Sequence, residues 1–154
     1  MRLLGIDPGL SGGWTQLDEE GHITAFGRMP KIPYGKRKMV DARQLYIETA
    51  DCDHAVVEAV HAMPGQGVSS MFSFGSAFGV AYAVATIRSR TPVVLVPPQT
   101  WKRYYGLRAD KREALDMAEV LWPGVLSWGV LANDGIAEAA LMAKWMLDTQ
   151  PKLP

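Results

Sequence analysis

The chain has 154 residues, 16 basic and 16 acidic side chains, and 48% hydrophobic residues, a size that suits one compact domain with its own core. Its single cysteine, Cys52, excludes an internal disulfide framework and makes a zinc–thiolate cluster implausible. The net charge of zero argues against binding of polyanions by charge alone. We expect a single domain over residues 1–154, in a reducing cytoplasm.

The beginning of the chain predicts no secretory signal, since Arg2 is not followed by an uninterrupted apolar segment. The longest apolar stretch, Val68 to Ile87, approaches membrane length but contains several serine and glycine residues. Such a composition suits a packed helix better than a lipid-facing one. We therefore expect no membrane-spanning segment.

The first third of the chain predicts an antiparallel start. Arg2 to Ile6 has the pattern of a buried strand, Gly13 to Leu17 that of its hairpin partner, and His22 to Arg28 that of a third strand. Met29 to Lys38 is rich in proline, glycine and lysine and predicts a linker. A helix is predicted from about Met39 to Ala50.

The middle of the chain predicts a short strand, His54 to Glu58, then a glycine-containing loop and a helix from Val68 to Arg88. Gly75, Gly79 and Ala83 are four residues apart on this helix and define one face that permits close approach of another backbone. That face either packs on the sheet or forms a dimer seam.

The last third predicts a strand over Val93 to Val96 and a short helix over Gln99 to Tyr105. Asp110 is expected to N-cap a helix through Leu121. The final helix begins at Asn133 or Asp134, and its apolar residues are spread around it, so we expect it to be well buried. Hairpin strands followed by alternating strands and helices predict a mixed α/β sheet covered on its faces by helices.

The basic residues are concentrated in two windows, residues 28–43 and residues 88–112, which together hold 13 of the 16. A segregated basic surface is what binding to a phosphate backbone requires, because neutralised phosphates release their counterions. A solvated loop with charged helix ends is the alternative interpretation.

Three carboxylates lie where strands or helices begin or end. Asp7 and Glu58 each close an apolar strand, and Asp134 starts the last helix with Glu138 one turn later on the same face. Each has an ordinary structural explanation as a turn cap, a strand-end charge or a helix cap. If they meet, the cluster would repel itself unless cations neutralise it, and hard oxygen ligands suit Mg²⁺ or Mn²⁺.

Five motifs in order along the chain resemble the RuvC family of Holliday junction resolvases. They are Leu4-Gly-Ile-Asp-Pro-Gly9 with Ser11-Gly12, Val56-Val-Glu58, Phe74-Gly-Ser-Ala-Phe-Gly79, Pro98-Gln-Thr-Trp-Lys102 with Asp110-Lys111, and Asn133-Asp-Gly-Ile-Ala-Glu-Ala139. The resemblance covers nearly the whole chain. The short length of the chain and the pair Trp101-Lys102 are most similar to phage-type members of the family. It implies an RNase H-like mixed five-stranded sheet with helices on both faces.

The resemblance also implies chemistry. Asp7, Glu58 and Asp134 would be metal ligands, and Lys111, with Lys102 as the second candidate, would lie near the scissile phosphate. Two Mg²⁺ or Mn²⁺ ions about 4 Å apart would activate water for in-line displacement, which leaves 5′-phosphate ends. The family often has a further ligand at the position that is Leu131 here. Glu138 could replace it, and a helical salt bridge is the other explanation of Glu138.

The expected partner is branched DNA, the four-way junction first, bound by a homodimer because paired cuts need a two-fold axis. His61, followed by Met63, occupies the loop position where the family carries a base-stacking aromatic. The basic DNA-binding candidates are Lys36, Arg37, Lys38, Arg103, Arg108 and Arg112.

Two other functions are compatible with parts of the sequence. A catalytically silent junction-binding protein is suggested by Leu131 at a ligand position. The stretch Gly5 to Gly13 also resembles the first phosphate loop of actin-like ATPases and sugar kinases, but these need a second such domain, for which the chain is too short. The resolvase interpretation places the protein in the cytoplasm of a bacterial cell or a phage-infected host.

Overall fold

The computed structural model describes residues 1–149. Its main sheet has five strands: β1 (Leu3–Asp7), β2 (Gly13–Leu17), β3 (Ile23–Arg28), β6 (His54–Glu58) and β7 (Val94–Val96). Their order across the sheet is β3-β2-β1-β6-β7. Strands β1, β2 and β3 are antiparallel neighbours, whereas β6 runs parallel to both β1 and β7. The sheet is therefore mixed, as predicted.

Helices cover both faces of this sheet. They are α1 (Ala42–Glu48), α2 (Val68–Arg88), α3 (Pro98–Tyr105), α4 (Lys111–Leu121) and α5 (Asp134–Thr149). Successive strand residues point to opposite faces, so Leu3 and Val56 join a core with α3, α4 and α5, while Leu4 and Val57 join a second core with α1 and α2. The predicted α/β, RNase H-like architecture is confirmed.

The segment predicted as a linker is a β-hairpin. Lys31–Tyr34 forms β4 and Arg37–Val40 forms β5, and the two pair around a turn at Gly35, whose φ of 59° lies in the left-handed region. Helix α1 consequently begins at Ala42, after its N-cap Asp41, and not near Met39 as predicted. The prediction was wrong because the hairpin is exposed along almost its whole length, so burial leaves no alternation of apolar and polar residues in its sequence.

Helix α2 has the bounds predicted for it, but it is buried along one stripe alone. Ala77, Ala81, Val84 and Ala85 face the sheet. By length and composition it is the single helix among residues 1–149 that could cross a membrane, and only 22% of its most apolar stretch is buried. A Cβ atom added at Gly75 or Gly79 would meet no atom within 4 Å. The small-residue face therefore does not pack on the sheet.

Candidate active site

Asp7 and Glu58 come together because of the sheet order. Strands β1 and β6 are parallel neighbours, with Ile6 opposite Val57. Since parallel strands end at the same edge of a sheet, the carboxylates that follow these two residues emerge side by side. The core contacts of both strands hold them in place, because Ile6 and Val57 are fully buried.

The start of α5 brings two more carboxylates to the same edge. Gly12 and Gly135 form a backbone bridge, and a Cβ atom at Gly135 would overlap the backbone of Gly12. The Arg28 guanidinium donates two hydrogen bonds to Asn133 Oδ1, at 3.2 and 2.9 Å. Thr15 Oγ1 donates to the Ile136 carbonyl at 3.1 Å. Together these contacts fix where the helix begins relative to β1 and β2.

The tightest group of carboxylates contains Asp7, Glu58 and Glu138. One oxygen from each lies within 4.8 Å of the other two. Asp134 is not a member of this group, and its Oδ2 accepts from Lys111 Nζ at 2.8 Å. Glu138, which the sequence offered as a replacement for the ligand missing at Leu131, thus lies in the tight group, and Asp134 lines the cleft beside it. Glu138 also accepts from Lys102 Nζ at 3.3 Å, a salt bridge between α3 and α5 and not within one helix.

Burial and mutual repulsion perturb this group. The pKa of Asp7 is raised well above its usual range, first by desolvation and then by the charges of Glu138, Glu58 and Asp134, with Lys111 opposing them. Desolvation is also the main cause of the raised pKa of Glu58 and of Glu138. Clusters of perturbed carboxylates in a cleft are typical of functional sites.

Two residues of α3, Trp101 and Lys102, contact the carboxylates of Glu58 and Glu138. Trp101 is fully buried, and its indole Nε1–H donates to Glu58 Oε2 at 2.9 Å, which opposes the rise in the Glu58 pKa. Lys102 Nζ lies 5.2 Å from the centre of the Trp101 ring and binds Glu138, and its side chain is 22% exposed. Both side chains therefore hold carboxylates in place, and Lys102 is mostly covered.

The donor set fits a hard divalent cation. Three carboxylate oxygens converge, burial raises the pKa of each carboxyl group, and no histidine or cysteine takes part in this group. Oxygen-only sets of this kind favour Mg²⁺ or Mn²⁺ over zinc. A bound cation would also remove the repulsion that now disfavours the charged form of Asp7.

Asp7, Asp134 and Glu138 line the floor of an open cleft of about 670 Å³. Its walls come from the turn after β1, from the first turns of α2 and from the hairpin, and they include Ser11, Arg37, Ser69, Ser70, Ser73, Phe74 and Lys111. Arg37 donates to Ser69 Oγ across the cleft wall. Hydroxyl groups and cations above a floor of carboxylates form a polar cleft that could hold a phosphodiester.

The fold is similar to that of a solved structure. No family model and no curated protein matches the chain. A solved structure of Thermus thermophilus RuvC in complex with a Holliday junction substrate superposes with a TM-score of 0.60 at 15% identity, covering 93% of this chain and 90% of that one. The chain has a RuvC-like fold. At this identity the likeness concerns the fold and leaves the activity to be proposed.

Within the RuvC-like fold, the predicted DNA-binding residues are distributed over several surfaces. Arg37 lines the cleft, and Lys36 and Lys38 are exposed beside it on the hairpin. Met63 is 66% exposed in the loop between β6 and α2, which also carries His61. The remaining three, Arg103, Arg108 and Arg112, are exposed on or near α3 and α4 and do not line the cleft.

Several residues that contribute to the candidate site were not predicted from the sequence. The indole of Trp101 holds Glu58, and Arg28 holds Asn133, but neither pairing can be inferred from sequence separations of 43 and 105 residues. The cleft-lining serines of α2 were noted only as interruptions of an apolar stretch. Three serines in the first two turns of a helix that is otherwise apolar were the available signal.

Proposed function

We propose that the protein is a metal-dependent endonuclease that cuts branched DNA, with the four-way junction as its main substrate, in the cytoplasm of a bacterial cell or a phage-infected host. The observation that carries this proposal is the convergence of Asp7, Glu58 and Glu138 to within 4.8 Å, at a cleft that Asp7 and Glu138 line together with Arg37 and Lys111. The fold shared with a protein solved on a Holliday junction supports the choice of substrate. The short chain and the pair Trp101-Lys102 favour a phage-type member.

Asp7, Glu58 and Glu138 would hold Mg²⁺ or Mn²⁺, with Asp134 beside them for a second ion. Such ions, when bound, lower the pKa of water, hold the phosphate and stabilise the leaving oxygen. The protein itself contributes the fixed ligand geometry: Trp101 orients Glu58, and Lys102 orients Glu138. These contacts cost no reorganisation when the substrate arrives.

Lys111 is the stronger candidate for contact with the scissile phosphate. Its side chain is 60% exposed and lines the cleft, whereas Lys102 is held under Glu138. The bond to Asp134 raises the pKa of Lys111, so the ammonium stays charged at neutral pH. If the Lys111 ammonium released Asp134 and bound a phosphate oxygen, its positive charge would lie where negative charge develops during cleavage.

The first turn of α2 would position the backbone of the cut strand. Its N-cap, Gly67, provides no side-chain cap, so backbone N–H groups at the helix start are available beside Ser69 and Ser70. Helix N-termini bind phosphates through these groups and through the helix dipole. Arg37 supplies a guanidinium from the hairpin, in contact with Ser69 at this helix start.

Dimerisation is part of the proposal, and α2 offers the surface for it. Gly75 and Gly79 face outward with open space above them, next to Ala83 and the half-exposed Tyr82. An apolar helix face with small residues permits close approach of a second copy. A two-fold axis at this face would give a junction two cutting centres.

The test is a synthetic four-way junction incubated with the protein, first without metal and then with Mg²⁺ or Mn²⁺. Symmetric nicks with 5′-phosphate ends are expected only with metal. Asp7→Asn should abolish cutting and retain binding. Glu119→Gln, which removes an exposed carboxylate on α4 that does not line the cleft, is the matched control and should cut normally. A junction left intact by the wild type under both metals would refute the proposal.

Metal titrations then separate the roles of two acids on α5. Both Glu138→Gln and Asp134→Asn remove one charge, but only Glu138 belongs to the tight group. We expect the larger loss of metal affinity in Glu138→Gln. A wild-type titration curve for Glu138→Gln would remove it from the site.

A catalytically silent junction-binding protein is the second candidate. The observation in its favour is Leu131, which occupies a position where a ligand is expected and lies 53% exposed in the 3₁₀ turn before α5. This candidate predicts tight junction binding in Ca²⁺ or Mg²⁺ without nicks. The cutting assay described above decides between the two.

A further inference from the structure

A second cavity lies beside the active-site cleft, between the hairpin and α2. It measures about 380 Å³ and is lined by Leu10, Tyr34, Arg37, Lys38, Met39, Val40, Phe72, Ser73, Ser76 and Ala77. Leu10, Arg37 and Ser73 line both spaces, so the cavity adjoins the cleft. We call it the hairpin slot.

The hairpin slot combines an apolar floor with an aromatic mouth. Val40 and Ala77 are buried at its base. Tyr34 and Phe72, contributed by the hairpin and α2 respectively, remain 60% and 69% exposed. Large aromatic side chains left in solvent at the mouth of a concave surface are typical of binding sites. The slot is also at the small end of the usual range for small-molecule sites, about 300–1,000 Å³.

The charges at the slot indicate the class of ligand. Arg37 and Lys38 line it, Lys36 is exposed at the hairpin turn, and the hairpin residues 31–40 include no acidic side chain. The apolar cavity and its exposed aromatic side chains suit a flat, mainly apolar group. The cationic rim suits an anionic group on the same ligand. A nucleotide has both, since a base stacks on aromatic side chains and its phosphate pairs with arginine or lysine.

The position of the hairpin slot next to the cleft indicates which nucleotide of the DNA it would bind. Arg37 reaches both spaces, so a strand whose phosphate lies over the carboxylates has its neighbouring nucleotides at the slot entrance. Bases inside a duplex are stacked and cannot enter a cavity, whereas unpaired or weakly stacked bases can leave the stack at small cost. Occupation of the slot therefore requires a distorted or branched strand.

We propose that the hairpin slot binds an unstacked nucleobase next to the cleavage position, and that this binding lets the protein distinguish branched DNA from duplex. The proposal rests on the nuclease function proposed above. Tyr34 and Phe72 stack on the base, and Arg37 and Lys38 hold its flanking phosphates.

The test measures equilibrium binding in Ca²⁺, without cutting, to a four-way junction and to a duplex of the same sequence. Tyr34→Ala and Phe72→Ala are each expected to weaken junction binding about 5- to 150-fold, which converts to about 1–3 kcal/mol, and to change duplex binding less than twofold. Tyr104→Ala is the matched control, since Tyr104 is 49% exposed on α3 and does not line the slot. Thermal unfolding verifies that each variant folds.

A second measurement uses junctions in which one nucleotide near the branch is abasic. For the wild type, one abasic position should reduce affinity, and for Tyr34→Ala the same lesion should cost nothing further, because base and ring act as one pair. The proposal would be overturned if the aromatic variants lost equal affinity for junction and for duplex. It would also be overturned if the affinity losses from Tyr34→Ala and from the abasic position were additive, or if both aromatic variants bound with wild-type affinity.

The outcomes separate this inference from the function on which it rests. Metal-dependent nicking with no effect of Tyr34 or Phe72 would retain the nuclease and refute the slot. A lesion-specific coupling to Tyr34 without any nicking would retain the slot and refute the nuclease. A wild type that binds junction no better than duplex would refute the slot, since selectivity is its stated consequence.

Discussion

Helices α2 and α5 are both apolar, and the fold uses them in opposite ways. Residues 134–143 of α5 are buried without interruption, and the helix crosses β1 and β2 so closely that a Cβ atom at Gly5 would collide with the Ala139 carbonyl. Helix α2 buries a single stripe and leaves its other faces open. Helix α5 therefore carries two of the four candidate carboxylates on a well-packed element, whereas α2 leaves most of its surface exposed.

This contrast has a physical reason. Ligands that converge within 4.8 Å repel one another before a metal binds, so the elements that carry them must be held by many other contacts. A helix face that binds DNA or a second copy must remain accessible, and its apolar residues contribute little to folding until the partner arrives. Substitutions on the two helices should therefore affect stability and assembly in opposite proportions.

The largest effect is expected for Gly135→Ala on α5. The new methyl group would overlap the backbone of Gly12, which cannot move without disturbing Asp7. Overpacking of this kind costs typically 1–3 kcal/mol, and contact with backbone places it at about 3 kcal/mol or more. Urea unfolding measures the loss. Gly129→Ala, which meets no atom within 4 Å, is the control and should be nearly neutral. Equal stabilities would show that α5 tolerates displacement.

An effect on the order of 1 kcal/mol is expected for Asp7→Asn without metal. The folded-state pKa of Asp7 lies above its unfolded value, so the folded state binds the extra proton and the wild type loses stability as pH rises from about 4 through the folded pKa. At neutral pH the variant should be the more stable protein, and the difference should vanish below about pH 4.

Two controls make the Asp7 experiment specific. Adding Mg²⁺ should reverse the order, because the metal binds only the folded wild type, with about 2.7 kcal/mol at 100 times Kd. Glu113→Gln should have the opposite sign without metal, since hydrogen bonds from Arg108 lower the pKa of Glu113 and stabilise its charged form. A metal-free Asp7→Asn variant that is less stable than wild type at pH 7 would contradict the repulsive cluster.

The smallest effect on folding, and the largest on assembly, is expected for Gly79→Glu on α2. The site is open, and replacing glycine inside a helix gains up to about 1 kcal/mol, so the free energy of unfolding of the monomer should change little. Light scattering should show a dimer for the wild type and a monomer for the variant. Gly129→Glu, equally open but distant from α2, should remain dimeric. If Gly79→Glu is dimeric, the seam lies elsewhere.

Local patterns in the sequence were sufficient for most of the fold. The antiparallel start, β6, the full extent of α2 and the capping of α4 by Asp110, whose side chain accepts from Arg112 N, all follow from periodicity and turn or cap chemistry. The hairpin did not, because neither of its strands has a buried face to impose alternation. The surface that the hairpin forms beside the cleft, with Tyr34 and Arg37, was therefore not predicted either.

The candidate site divides in the same way. Asp7, Glu58 and Asp134 could be selected as candidates because each ends or begins an element, a property of the local sequence. That Glu138 and not Asp134 joins Asp7 and Glu58 depends on where α5 crosses the sheet, and that crossing is fixed by Gly12, Gly135 and the Arg28–Asn133 contact. The sequence determined which carboxylates were available. Only the tertiary structure decided which of them meet, because distances between elements are set by packing over separations of about a hundred residues, which no local pattern encodes.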